Sequence, residues 1–135
     1  MKIVLIVAAA VAALVVLTVA AIFVASESGE VVVLRTWDPA GAAHETRVWV
    51  VEDAGHLWLR AGMPSNAWYQ RLRTRDEIEI VRDGTTRAYR AVALDDAAAR
   101  TRIHQLMAAK YGAADRFIAL LRDGDSSIAV RLDPR

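Results

Sequence analysis

The 135-residue sequence predicts an α+β fold: a six-stranded antiparallel barrel with two to three short helices, preceded by one transmembrane helix. Three observations predict it. The first is an uncharged run from Ile3 to Ala25, "IVLIVAAAVAALVVLTVAAIFVA", whose one polar side chain is Thr18. The second is a pair of tight hairpin signals, Asp53-Ala54-Gly55 and Asp83-Gly84, each set between strand-like segments. The third is an absence: there is no βαβ repetition, and no Rossmann or P-loop glycine pattern. Such a set of strands closes most simply by curling into a barrel, which removes exposed edges.

A helix over 3–25 would be roughly 34 Å long at 1.5 Å per residue, enough to cross a hydrocarbon core of about 30 Å. Secretory signals have shorter apolar cores and end in a small-x-small cleavage site. Here the run is longer, and Phe23 or Val24 stands at the outer position. Residues 1–25 therefore read as an uncleaved signal anchor, with cleavage as the alternative. Residues 26–30 form a linker and 31–135 the barrel domain. The expected partner of residues 3–25 is the lipid bilayer. Lys2 and the α-amino group precede the span, while Glu27, Glu30 and Arg35 follow it. Counting bases alone leans toward a domain on the extracytoplasmic side.

Composition excludes several functions. With Lys2 set aside, the remaining bases equal the 16 acidic residues, so no net field draws nucleic acid to the domain. No basic cluster of the lipid-binding kind flanks the span. Cysteine is absent, which removes disulfides and thiolate chemistry. His44, His56 and His104 fall in a loop, a strand start and a helix, without metal-ligand spacing, so no metal is expected. A nucleophile elbow is missing too.

Each element follows from its residues. "EVVVLRTW" is β-branched and forms the first strand, and "DPAGAAHE" is a loop opened by Asp-Pro. "TRVWVVED" is a second strand, apolar on both faces, which the Asp53–Gly55 turn joins to "HLWLR", the third. Ser65 is placed to cap a helix over 66–73. "DEIEIVRD" alternates carboxylates with isoleucines as strand four, and Asp83-Gly84 turns it into "TTRAYRAVAL", strand five. Asp95 or Asp96 caps a helix in which Ile103, Leu106 and Met107 recur at helical spacing before Gly112 stops it. "AADRFIALL" reads as a short third helix and "SSIAVRL" as the last strand.

The stretch "LWLRAGMPSNAWYQRL", Leu57 to Leu72, gathers an arginine, small residues and two aromatics around one loop. Arg60 shares a strand face with Trp58. It reads either as a bidentate anchor for phosphate or carboxylate or as a rim arginine paired with a nearby carboxylate. Trp68 and Tyr69 open a helix, where aromatics more often pack in a core than line a cofactor. Arg71 and Arg75 share a helical face, with a solvated face balanced by Asp76, Glu77 and Glu79 as the plainer reading. Lys110 stands at a helix C-terminus, where a cation is favoured in any case.

Taken together, "TRVWVVEDAGHLWLRAG…WYQRL", "AAKYG" and the terminal "IAVRLDPR" resemble the split β-barrel superfamily that binds flavins and deazaflavins. That superfamily includes pyridoxamine-phosphate oxidases and deazaflavin-dependent nitroreductases, and the likeness is greatest to small bacterial members. It covers Val31 to Arg135 and leaves out the span. The resemblance implies a six-stranded split barrel holding FMN or a deazaflavin, often where subunits meet, so a homodimer is an implied assembly. It also implies hydride transfer to a small acceptor. Arg60, Gly62, Trp68, Arg71 and Lys110 would hold the cofactor, and Tyr69 would orient the acceptor. The nitroreductase branch carries a basic, serine-containing phosphate loop between its first two strands; here that loop reads "WDPAGAAHETR". This departure keeps open an alternative: a non-catalytic ligand-binding or interaction domain on a membrane stalk.

Overall fold

The chain runs α1 (Lys2–Ser26), β1 (Val31–Trp37), β2 (Ala43–Trp49), β3 (Val51–Asp53), β4 (His56–Ala61) and α2 (Ala67–Thr74). It continues through β5 (Glu77–Arg82), β6 (Thr85–Leu94), α3 (Ala97–Tyr111), α4 (Ala113–Ala119) and β7 (Ile128–Pro134). The computed structural model describes residues 1–135. Every strand pair is antiparallel, in the order β2-β1-β5-β6-β7-β4-β3. β2 and β3 lie at opposite edges, yet only Val50 separates them in sequence. One bent strand thus belongs to both edges, and the sheet curls round as a split barrel.

The strand count differs from expectation at this bend. The predicted second strand is two hydrogen-bonded segments, because the chain leaves β1 at Trp49 and joins β4 from Val51. At the bend the backbone of Val50, fully buried, falls between the two ladders. Side chains from the end of α3 replace its strand partners. The Val50 N–H donates to the Tyr111 hydroxyl (3.1 Å), and its carbonyl accepts from Lys110 Nζ (2.7 Å). The same phenol donates to the carbonyl of Glu30 (2.5 Å). Buried backbone groups need such partners. Burial pushes the Tyr111 phenol up, so it remains a protonated donor at neutral pH. Tyr111→Phe is expected to destabilise the protein by about 1–3 kcal/mol, the cost of a buried group left unpaired. Urea unfolding of the full chain in mild detergent measures this, and an unchanged midpoint would contradict it.

Two apolar layers follow from the alternation. Val32 and Leu34 of β1, Ile78 and Ile80 of β5, Leu59 of β4, and Ile128, Val130 and Leu132 of β7 point into the barrel, joined by Trp68, Tyr69 and Leu72 of α2. On the other side of the wall, Ile103, Met107 and Tyr111 of α3 cover Val51 and Ala129.

Smaller differences have local causes. Ser65 does not cap α2; the helix starts one residue later than expected, behind Asn66, without a side-chain cap bond. Gln70 Nε2 instead reaches back to the carbonyl of Pro64 at 2.5 Å. Of the two candidate caps for α3, Asp96 accepts from the Ala99 N–H (2.8 Å), while Asp95 pairs with Arg100 (2.9 Å). Gly112, at φ 55°, ends α3 and begins α4. α4 stops at Ala119 instead of Leu121, and a short 3-10 turn over Gly124–Ser126 leads into β7.

α1 is a single helix of 25 residues, and an 18-residue stretch of it has a mean hydropathy of 3.1. The Thr18 hydroxyl donates to the carbonyl of Leu14 at 2.8 Å, so the one polar side chain between Ile3 and Ala25 is satisfied within the helix. Protein covers only its last turns, against α4.

Candidate functional site

β4 alternates Leu57, Leu59 and Ala61 toward the barrel interior with Trp58 and Arg60 on its outer face. Arg60 therefore emerges beneath α3 and α4. There its Nη2 meets Asp115 Oδ1 of α4 at 2.6 Å, with the two side chains only 5% and 7% exposed. Its Nη1 lies 3.3 Å from Nδ1 of His104, on α3. Arg122, from the segment after α4, completes the cluster. Its Nη1 is 3.9 Å from the same Asp115 oxygen, and its Nη2 is 3.5 Å from His104 Nδ1. The Nε of Arg122 is buried and has no partner.

The histidine tautomer follows from its surroundings. His104 Nε2 sits 2.9 Å from the carbonyl of Gly124, which can only accept, so Nε2 carries the proton. Nδ1 is then the acceptor that faces both guanidinium groups. A neutral ring suits this setting: burial, and less strongly the Arg60 and Arg122 charges, hold the imidazole below its ordinary value. Burial first, then Arg60, also pulls the Arg122 guanidinium down. Two guanidiniums share one carboxylate and one neutral imidazole, which leaves the cluster with an excess of positive charge.

The His104 shift makes a linkage prediction. The unfolded chain binds a proton near the ordinary value of 6.5, whereas the folded protein resists it to lower pH. Stability contributed by the neutral ring is therefore present above about pH 6.5 and is lost as pH falls through the folded value. His104→Gln should flatten that part of the stability-against-pH curve. A slope of the same size in the variant would assign it to other groups.

The cluster opens onto a hollow of about 230 Å³. Arg60, Gly62, Arg122, Trp49, Trp68 and Met107 are among its walls, with Ser26 and Ile118 at the side nearest α1 and α4. Trp49 is fixed there in two ways. Its ring stacks on Tyr111 (centroids 4.2 Å apart, planes 6° apart), and its Nε1 donates to the carbonyl of Ser26 at 2.8 Å. Gly62 has room for a side chain, since a Cβ there would meet Arg122 Cδ at an ordinary 3.5 Å.

Of the residues singled out in the sequence, Arg60, Gly62 and Trp68 come together at this hollow. Tyr69, Arg71 and Lys110 lie elsewhere. Tyr69 is 5% exposed in the barrel core, edge-on to Trp68 at 6.4 Å. Arg71 Nε donates to the hydroxyl of Thr36 (2.8 Å), which is wholly buried. Lys110 is held by Glu30 (2.6 Å) and the Val50 carbonyl. Asp115, Arg122, His104 and Trp49 had not been assigned to a site. The one signal for the first two is a pair of opposite charges seven residues apart, two helical turns, in a segment whose only other charge is Arg116.

Comparison with known proteins bears on the fold. No family model matches the sequence, and no curated protein matches it. Solved structures do. A putative pyridoxamine 5'-phosphate oxidase from Listeria innocua superposes with a TM-score of 0.59 at 15% identity, over 84% of this chain and 90% of that one. An F420-H2 dependent reductase superposes with a TM-score of 0.61 at 15% identity, over 76% and 93%. The haem-storage protein HutZ from Vibrio cholerae gives 0.62 at 14% identity, over 82% and 85%. The chain shares the split-barrel fold of these proteins, preceded by one apolar helix.

Proposed function

We propose that the Arg60–Arg122 hollow binds the anionic end of a flavin or deazaflavin, in a membrane-anchored domain that acts as an oxidoreductase. One observation carries this reading: two buried arginines, Arg60 and Arg122, the latter with an Nε that has no partner, stand side by side in the wall of a hollow also lined by tryptophan. An unpaired buried donor is costly, and a phosphate or carboxylate oxygen is the acceptor that suits it. At about 230 Å³ the hollow is smaller than the roughly 300–1,000 Å³ of whole-ligand sites, so it takes one end of such a molecule. Arg60 and Arg122 would hold the charge, and Trp49 and Trp68 would exclude water from it. Gly62 would let the ligand approach the backbone. Tyr69, Arg71 and Lys110 serve the barrel in this reading: they support Trp68, Thr36 and the Val50 bend. The cofactor would supply hydride chemistry to a small acceptor, and the protein position and charge. α1 would anchor the domain, with the barrel on the extracytoplasmic side by the charge count around the span.

A second reading keeps the anion site without turnover. The β1–β2 loop favours it, because its Asp38 carboxylate is spent on His44 (2.8 Å) and the Ala42 N–H, and no phosphate cradle forms there. The fold is compatible with either use. Titrating the full chain in detergent with FMN and with a deazaflavin, and following tryptophan quenching and visible absorbance, tests the common core. No saturable change with either would refute it. Binding without reduction by any hydride donor would select the second reading. Light scattering on the same sample reports whether the implied homodimer forms.

A further inference from the structure

α4 packs against α1 at a depth that has a consequence for the membrane. Ala113, Ala114 and Phe117 of α4 face Ala20, Ala21 and Val24 of α1 across an apolar hollow of about 470 Å³. Those α1 residues lie inside its apolar run. With that run of roughly 34 Å centred on a core of about 30 Å, Ala20 sits about 6 Å below the hydrocarbon surface. Anything packed on it is drawn to the same level. Beyond Phe117, Leu120 is 83% exposed and Leu121 56%, and Met63 of the β4–α2 loop is 49% exposed. These are the large apolar side chains that the folded domain leaves in the open outside α1.

We propose that α4 and the Leu120–Leu121 segment after it form a second membrane contact, lying in the interface beside the span. The inference rests on α1 being embedded in a bilayer. Apolar faces of interfacial helices sink about 5–10 Å into the boundary between headgroups and acyl chains, which is the depth set here by Ala20. The polarity of α4 agrees. Asp115 is turned inward to Arg60, whereas Arg116 is exposed, has no ion-pair partner, and has a side chain long enough to reach headgroup phosphates. The occupant is lipid rather than another protein, because the segment follows directly on the α4 residues that pack against α1, at the level where an embedded α1 meets lipid. As a result Ser26 and Ile118, which line the hollow beside Arg60 and Arg122, would lie near headgroup level.

The chain has no cysteine, so single-cysteine variants label cleanly. Full-length Leu120→Cys, Leu14→Cys and Ala40→Cys proteins would carry an environment-sensitive fluorophore in phosphatidylcholine/phosphatidylglycerol nanodiscs containing spin-labelled lipid. Leu14 marks the middle of α1, and Ala40 marks the exposed β1–β2 loop at the far end of β1. The expected result is quenching at position 120 within about twofold of position 14, and none at position 40. A label at 120 that behaves like the one at 40, with 14 quenched, overturns the proposal and leaves the anchor standing. A blue-shifted but unquenched label at 120 assigns the patch to protein contact and also overturns it. Absence of quenching at 14 removes the anchor itself, and this inference with it.

Discussion

Asp115→Ala is expected to cost about 3–5 kcal/mol of stability, the range for breaking a buried ion pair by removing one partner. The size follows from what stays behind. Arg60 is 95% covered and cannot swing to solvent, and Arg122 is 89% covered a short distance away. With the carboxylate gone, two guanidinium charges face each other in a poorly hydrated space with only the neutral His104 ring between them. Asp115→Asn should fall between the two, since it keeps the shape and a carbonyl acceptor for Arg60 but no charge. Adding phosphate should rescue Asp115→Ala more than the native protein, because an anion entering the hollow replaces the missing charge. Urea unfolding of the full chain in detergent, with and without phosphate, reads all three. A loss below about 1 kcal/mol would place the pair in the range of solvent-exposed salt bridges and contradict the burial on which the site is built.

The barrel was far more legible in the sequence than the site. β1 announces itself by its β-branched run, and β5 because Ile78 and Ile80 alternate with Glu77 and Glu79, a period of two that has one structural meaning. Asp83-Gly84 fixes the β5–β6 hairpin for the same reason: positive φ at both positions selects those residues. The bend at Val50 was hidden. "VWVV", Val48 to Val51, is uniformly β-branched and aromatic, and nothing local marks where one ladder hands over to the next. The handover is enforced by Tyr111 and Lys110, some 60 residues away. The site suffered from the same distance problem. Arg60 and Asp115 are 55 residues apart and His104 is on a third element, so no spacing rule connects them. Arg60 could be picked out because it ends an apolar strand beside a glycine. Asp115, on a helix, and Arg122, just past it, carry no local mark of burial, and only the fold turns them inward.

Arg122→Met is expected to separate binding from stability, which few substitutions in a buried cluster can do. The guanidinium adds charge beside Arg60 and keeps a buried Nε that nothing satisfies. Methionine, of similar length and flexible, removes that donor and the repulsion while filling the space. Stability should therefore hold or rise, as when buried ionic groups give way to apolar ones. Ligand affinity should move the other way. Losing one hydrogen bond to a charged partner is worth about 1.5–3 kcal/mol, or roughly 10- to 100-fold in Kd at 1.4 kcal/mol per decade. Arg60→Met would instead weaken both, because Asp115 then loses its nearer cation at 2.6 Å. Unfolding curves and FMN or phosphate titrations on the two variants make the comparison. If Arg122→Met unfolds early and binds normally, then Arg122 exists to neutralise Asp115, and the unpaired Nε was never waiting for an anion.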